Sequence, residues 1–176
     1  MCYLFYNCWR VKELTIPIGW DLSGISDANN RGHSIFGYCY SLEKITGISN
    51  WNFQFNNSMT NMFLNCYCLK SLDISNWDVS HATSLASFFQ NCYSLKELDL
   101  SSWNPENCTT FISMFSSCFS LTTVGDISNW DTSKVTAMAS MFRYCWSLVE
   151  FPSIQNWNFS KVTTIDSMFS ECYALK

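Results

Sequence analysis

Cysteine is the residue of this sequence most suited to metal binding, redox chemistry or nucleophilic attack, and seven of the ten cysteines form one column. Its members follow one another at steps of 26, 27 or 31 residues: Cys8, Cys39, Cys66, Cys92, Cys118, Cys145 and Cys172. A structural zinc site needs close cysteine pairs, and the one close pair, Cys66 and Cys68, has no second pair. Seven thiols cannot all pair with one another. Because free cysteine is among the residue types most often buried, we predict reduced, buried thiols.

The histidines and glycines give little support to catalysis. His33 and His81 stand alone in polar segments, and neither has the neighbours of a Ser-His-Asp or Cys-His arrangement. The six glycines are spread over the chain, so the sequence has no glycine-rich phosphate-binding loop. The sequence therefore predicts a protein that is not an enzyme and that carries no cofactor or metal.

Charge and hydropathy argue against two classes of partner. The formal net charge is -4, and the ten lysines and arginines are scattered singly, whereas nucleic-acid binding needs clustered cations. No apolar stretch approaches the roughly 20 residues that span a membrane. The opening residues, MCYLFYNCWR, lack the regions of a signal peptide. We therefore expect either a chain that is not secreted or a piece of a longer protein.

A second column, of tryptophan, shows which elements must position these residues. It consists of Trp20, Trp51, Trp77, Trp103, Trp130 and Trp157. From each Trp to the next column Cys is 15 residues in five cases and 19 in the first, which predicts an insertion within Ser26 to His33. Two columns with one period define a tandem repeat. We divide 1–176 into one array: a partial copy 1–19, then copies starting near 20, 51, 77, 103, 130 and 157, the last truncated.

The half of each copy that runs from Trp to Cys has a helical pattern. In one copy its apolar residues are Val135, Met138, Met141, Phe142 and Cys145, a spacing that fits one face of a helix. A threonine such as Thr136 follows the first apolar position and is suited to cap that helix. The pattern predicts one short helix per copy, with the Met-Phe pairs and the tryptophans in the core.

The half from Cys to Trp predicts a short strand. It reads CLKSLDI at 68–74 and SLKELDL at 94–100, with alternation in the last residues. The residues between the inward Leu and Ile point outward and are the candidate partner-binding residues: Ser71, Asp73, Ser75, Glu97, Asp99 and Ser101. Copies of 27 residues carry one extra residue in this half, which blurs the register of weaker candidates: Lys44, Thr46, Thr123, Asp126, Glu150 and Ser153.

Two of these candidates, Asp73 and Asp99, are expected to stack one strand spacing apart, where like charges repel. Either a bound cation or hydrogen bonds from neighbouring serines would relieve the repulsion. Ca²⁺ prefers carboxylate oxygens, but no loop supplies the six or more ligands it takes. Serine hydrogen bonds are therefore the favoured interpretation.

Stacking predicts the shape of the array. Strands pair at about 4.8 Å, whereas helices pack at about 8–10 Å. If each copy places strand against strand and helix against helix, the helix side is longer. The array is then expected to curve, with a parallel sheet on its concave side.

The segments NWDVS, TSL, FFQNC and YSLKELDL, taken together, closely resemble the BspA-like bacterial surface-protein repeat, a leucine-rich-repeat-type family. The resemblance covers essentially the whole chain. It implies a right-handed leucine-rich-repeat-like solenoid with one short parallel strand and one short helix per copy. It also implies surface display and adhesion or host interaction.

The resulting hypothesis is a non-catalytic binding or adhesion module at the cell surface, with a protein or glycan partner on the concave sheet or the adjoining turns. The alternative is a structural spacer or assembly element of a surface layer or virion, and a cytoplasmic location also stays open. Neither end of the sequence has a polar cap, so we expect further repeats, another domain or another subunit to cover the ends.

Overall fold

The computed structural model describes residues 4–17, 19–20, 34–51, 58–150 and 152–176. Two short strands, β1 (Glu13–Thr15) and β2 (Lys44–Thr46), pair in parallel with Glu13 opposite Lys44. A 3-10 helix, Ile48–Asn50, follows β2 directly. Within the described ranges no helix is long and apolar enough to cross a membrane. The predicted insertion within Ser26 to His33 lies outside the described residues.

In later copies the strand half is reduced to single parallel bridges. Ser71 pairs with Glu97, and Glu97 pairs with Thr123. The Leu98 N–H donates to the Thr123 carbonyl over 3.2 Å, which continues the same ladder. The predicted parallel strand is thus confirmed in the first two copies and shortened to bridges in the next three.

The predicted helix is absent from the described residues, and this prediction was wrong. Each Trp-to-Cys segment holds two residues with positive φ four positions apart, such as Asn61 (φ 61) and Asn65 (φ 62). A right-handed helix cannot contain such residues. Instead, Leu64 N–H donates to the Asn61 carbonyl, and Cys66 N–H donates to the Phe63 carbonyl. Successive tight turns therefore give the apolar residues a helix-like spacing without a helix.

The backbone N–H groups that are not used within these turns donate hydrogen bonds to carbonyls of the next copy. Asn61 donates to the Ala86 carbonyl over 3.0 Å, and Phe63 donates to the Phe88 carbonyl over 2.8 Å. Four bonds of this kind join each pair of neighbouring copies from residue 59 onward. Both halves of a copy are thus joined to their neighbours by backbone hydrogen bonds.

The threonine row has a related role and does not cap helices. The Thr109 hydroxyl and the Thr109 N–H both donate to the Thr83 carbonyl, over 3.1 and 2.9 Å. Thr136 bonds to Thr109 in the same way, and Thr163 bonds to Thr136. The threonines predicted to cap helices therefore form hydrogen bonds between neighbouring copies instead.

The rise from copy to copy is close to a strand spacing on the turn side as well. Along the Phe36, Phe63, Phe89, Phe115, Phe142 and Phe169 column, ring centroids are 5.0 to 5.7 Å apart and nearly parallel. Helices would have required about 8–10 Å. The expected curvature therefore loses its physical basis, and "concave" has no support. We use the term strand face for the side that carries Ser71, Asp73, Ser75, Glu97, Asp99, Ser101 and their equivalents in other copies.

The core is formed by the columns that the sequence indicates. Leu95, Phe142 and the column tryptophans from Trp51 onward are almost fully buried. The Met-Phe pairs lie in the same cluster, with Phe169 half-buried. Trp20, in the first full copy, is exposed. Burial of these columns is therefore deepest in the middle of the array.

Replacement of Phe142 by Ala should lower the free energy of unfolding by about 2–5 kcal/mol, because Phe142 is 0% exposed and its removal leaves a cavity between stacked rings. Urea melts of the purified chain measure this loss. Val149→Ala is the control, since that side chain is 45% exposed and should change stability by less than about 0.5 kcal/mol. A loss below about 1 kcal/mol for Phe142→Ala would contradict the assignment of this column to the core.

Candidate functional site

The cysteine column is buried from Cys39 to Cys145 and half-buried at Cys8 and Cys172, and its thiols from Cys39 onward donate hydrogen bonds. The Cys66 thiol donates to the Phe36 carbonyl over 3.1 Å, and the Cys118 thiol donates to the Phe89 carbonyl over 3.2 Å. Burial raises the pKa of the Cys39 thiol to about 11, and burial also raises the pKa of Cys118. Such thiols stay protonated at neutral pH, so the column is a rung between copies and a poor nucleophile.

The tryptophan column serves the same purpose. The Trp103 indole N–H donates to the Ile74 carbonyl over 3.1 Å, and the Trp157 indole N–H donates to the Ile127 carbonyl over 2.9 Å. Both indoles are buried. The prediction that these rings belong to the core rather than to a stacking platform is confirmed for the buried members.

Another aromatic row follows the cysteines and lies nearer the surface: Tyr40, Tyr67, Tyr93, Phe119, Trp146 and Tyr173. Neighbouring rings stack over 4.1 to 5.0 Å up to Trp146, and Tyr173 is tilted at 6.4 Å. Because the faces of the inner rings cover one another, the inner rings present edges to solvent. The row therefore offers no open ring face between its ends.

The candidate residues of the strand face lie where the sequence places them. Ser71, Asp73, Glu97, Asp99 and Ser101 are exposed, and Ser75 is half-buried. Serine hydrogen bonds to both carboxylates offset the expected repulsion between Asp73 and Asp99. The Ser101 hydroxyl and N–H donate to Asp99 Oδ1 over 2.6 and 3.1 Å, and Ser75 makes the equivalent bonds to Asp73.

Serine hydrogen bonds change the titration of Asp99 and Asp126. The Ser101 hydroxyl and then its N–H lower the pKa of Asp99, and the Ser128 N–H and then its hydroxyl lower the pKa of Asp126. A second column of aspartates, near the tryptophans, forms similar turns and includes Asp131, whose pKa is lowered by Ser133. Among the described residues, no group of three or more His, Cys, Asp or Glu could hold a metal ion.

The strand face contains a groove of about 440 Å³ between the copy that holds β2 and the copy that follows it. We call it the first groove, and its walls include Lys44, Ile45, Gly47, Ser71, Asp73 and Glu97. Ser71 stands between Lys44 and Glu97 in the strand row, and its short side chain leaves the space open. No ion pair joins Lys44 to Glu97 in the part of the chain that the structure describes.

A second groove, of about 300 Å³, lies on the same face two copies beyond Ser71. Its walls include Thr123, Val124, Gly125, Asp126, Glu150 and Ser153. In both cases the strand half before the groove carries the extra residue.

A glycine with positive φ stands in each groove. Gly47 has φ 82 and Gly125 has φ 76. A Cβ on Gly47 would lie 2.6 Å from the Ile16 carbonyl oxygen, and one on Gly125 would lie 2.7 Å from Asp99 Oδ1. Each glycine is thus pressed against the preceding copy, on the side away from its groove.

Sequence reasoning found the face but not the grooves. Of the principal candidates, Ser71, Asp73 and Glu97 line the first groove, whereas Ser75, Asp99 and Ser101 line neither groove. The weaker candidates all line a groove: Lys44 and Thr46 the first, and Thr123, Asp126, Glu150 and Ser153 the second. The feature of the sequence that could have indicated the grooves is the extra residue in the strand half of the copies before them.

Comparison with known proteins gives a family match. The model of the family described as "Mycoplasma protein of unknown function, DUF285" matches residues 33–124 and again 98–176. A comparison with curated protein sequences found no significant match. The family description names Mycoplasma proteins rather than BspA-like surface proteins, so that narrower expectation stays a prediction.

Two solved structures are similar at low identity. A leucine-rich repeat protein from Eubacterium ventriosum ATCC 27560 is 16% identical with a TM-score of 0.46, and covers 92% of this chain and 43% of its own. A leucine-rich repeat protein from Bacteroides ovatus ATCC 8483 is 18% identical with a TM-score of 0.30, and covers 94% of this chain and 60% of its own. This chain therefore spans less than two thirds of either protein. Neither likeness bears on a ligand or a partner.

In the folded state, a maleimide should label the half-buried Cys8, Cys68 and Cys172 and spare the buried thiols. The spared residues are Cys39, Cys66, Cys92, Cys108, Cys118 and Cys145. They should react at least about tenfold more slowly, because reaction requires local opening. Peptide mapping by mass spectrometry gives the rates, and labelling in urea is the control. Equal rates in the folded chain would exclude the buried arrangement.

Acid should destabilise the fold through the serine-bonded aspartates. Their pKa values are lower in the folded state than the ordinary value of 3.8. Their contribution to stability is therefore complete above about pH 3.8 and is lost as the pH falls through the lowered values. Urea melts at pH 7 and pH 3 measure the difference. It should shrink when four aspartates become asparagine: Asp78, Asp99, Asp126 and Asp131. The change Glu106→Gln is the control, and an unaltered difference in the fourfold variant would refute this account.

Proposed function

We propose that this chain, which belongs to the family described as Mycoplasma proteins of unknown function, DUF285, is a non-catalytic binding module whose partner docks on the strand face. The partner is a protein or glycan at a surface where the chain is displayed, as the resemblance to BspA-like repeats suggests. The proposal extends the fold to a leucine-rich-repeat-like solenoid, which the rungs between copies support.

The observation that carries the proposal is the contrast between the strand face and the rest of the described surface. The residues with chemical reactivity elsewhere, the column thiols and the indoles, are mostly buried and bonded to carbonyls. The strand face instead has exposed carboxylates, the Lys44 ammonium and hydroxyls around two open grooves. Exposed polar groups around an open groove are typical of a recognition site.

A structural spacer is the second candidate function, and one observation favours it. The stacked Phe column and the four hydrogen bonds between neighbouring copies are continuous from residue 59 onward. Such an array is stiff along its axis because each copy is bonded to both neighbours. A spacer needs no particular side chains on the strand face, which makes the two functions separable by mutation.

The triple variant Asp73→Asn, Glu97→Gln and Asp99→Asn should reduce attachment at least about tenfold, a loss of about 1.4 kcal/mol of binding free energy. These changes remove three negative charges from the strand face but keep side-chain size and an acceptor for Ser75 and Ser101. Attachment is measured with fluorescent beads that carry the chain, on cultured epithelial cells and on immobilised matrix proteins and glycans.

The matched control removes three carboxylates from outside the strand face: Glu106→Gln, Asp166→Asn and Glu171→Gln. It changes the net charge equally, so it should attach like the original chain if the face matters rather than the total charge. Urea melts establish that both variants are folded. Attachment that is equal in both variants and in the original chain would favour the spacer.

A further inference from the structure

The ladder of the strand face is interrupted at both grooves. Parallel pairing joins β1 to β2, and bridges join Ser71 to Glu97 and Glu97 to Thr123. Within the described residues, no pairing joins Lys44 to Ser71, and none joins Thr123 to Glu150. The gaps coincide with the first and second grooves.

Each gap leaves a backbone N–H without a partner. In β2 the Lys44 N–H bonds to the Lys12 carbonyl, and the Thr46 carbonyl accepts from Ile16 N–H. Since alternate residues of a strand direct their N–H groups to opposite neighbours, the Ile45 N–H points towards the following copy. It donates to nothing there, and the Val124 N–H likewise has no acceptor among the described residues. Both residues line their grooves.

The two glycines lie beside these gaps. A Cβ on Gly47 or Gly125 would lie 2.6 or 2.7 Å from an oxygen atom of the preceding copy, so a glycine is needed where the strand half lies this close to that copy. In one copy without the extra residue the corresponding donor is used, since Leu98 N–H bonds to the Thr123 carbonyl over 3.2 Å. An unpaired backbone donor is unusual, because most such groups find an acceptor in the protein, in water or in a ligand.

The carboxylates around each groove complete a binding site. Asp73 and Glu97 stand at the first groove, and Asp126 and Glu150 stand at the second. Among the described residues, Lys44 is the single lysine or arginine that lines either groove. Each groove therefore combines one free N–H donor with two carboxylates, which suits a main-chain carbonyl next to a cationic side chain.

We propose that the two grooves bind one extended, basic peptide segment of a partner protein, which lies along the array with a lysine or arginine in each groove. A carbonyl of this segment accepts from the Ile45 N–H, and another accepts from the Val124 N–H. The inference rests on the proposed function and specifies its partner as a basic segment.

The distance between the grooves sets the spacing of the two cations. Ile45 and Val124 are three copies apart, which is about 14 Å at about 4.8 Å per copy. An extended peptide covers that distance in about four residues, at about 3.4 Å each. The preferred segment therefore carries basic residues at positions i and i+4.

The test is titration of the folded chain with the peptide acetyl-Lys-Ser-Gly-Ser-Lys-amide by isothermal calorimetry at low salt. It should bind at least about tenfold more tightly than a peptide with one lysine replaced by serine, since both grooves are then engaged. It should also bind more tightly than a peptide whose lysines are two positions apart. Affinity should fall as salt is raised, because the contacts are exposed ion pairs.

Variants locate the site. The pair Glu97→Gln and Glu150→Gln removes one carboxylate from each groove and should weaken binding at least about tenfold. The matched pair Glu106→Gln and Glu171→Gln, outside the strand face, should leave the affinity unchanged. Lys44→Met removes the opposing cation and should tighten binding. The assignment to the grooves would be overturned if the variant with Glu97→Gln and Glu150→Gln bound the peptide with unchanged affinity. It would also be overturned if Lys44→Met bound the peptide more weakly than the original chain.

The peptide titration and the bead attachment assay together distinguish an error in the basic-segment proposal from an error in the proposed binding function. If the basic peptide does not bind, while the strand-face variant still loses attachment to cells or matrix, the basic segment is wrong and the binding module stands. If attachment is unaffected by the strand-face variant and the peptide also fails to bind, the binding function itself is wrong.

Discussion

The hydrogen bond between a backbone N–H of one copy and a carbonyl of the next is the interaction on which this structure depends. It occurs in both halves of a copy and fixes the rise at about 5 Å, as the 5.4 Å between Phe63 and Phe89 shows. At that spacing every side chain lies beside its equivalents. A column thus becomes a stack of rings, a row of thiols on carbonyls or a row of indoles on carbonyls. Cys92 and Trp77 use their polar atoms in this way, which removes the cost of burying them.

The columns were predictable because burial depends on position in the repeat, whatever the local conformation. Leu95, Met141 and Phe142 are in the core as their spacing indicates. The helix was not predictable from that spacing, because successive tight turns give the same sequence of apolar positions. The contrary signal was present in Asn61 and Asn65, since asparagine tolerates positive φ and is a weak helix former. Ser140 and Tyr144 take the same conformation with side chains that give less warning.

The candidate site shows the same division. The outward direction of Asp73 and Glu97 follows from alternation along a strand, and both are exposed. The serine bonds to Asp99 follow from the Asp-x-Ser spacing. The grooves could not be predicted, because they arise from how a 27-residue copy meets its neighbour. Sequence reasoning treats the extra residue as an uncertainty in register, whereas in the structure it accompanies a break in the ladder after β2 and after Thr123, although not between β1 and β2.

The extra residue changes the surface without a cost in the core. Ile127 and Trp130, which follow the turn at Gly125, are as buried as Leu100 and Trp103 at the equivalent positions one repeat earlier. The additional length is taken up by one glycine turn on the strand face, while the turn half keeps its four bonds to each neighbour. Because close packing makes changes of core volume costly, length can vary only where no column is displaced. The strand face meets that condition, so a groove can form there while the stack stays in register.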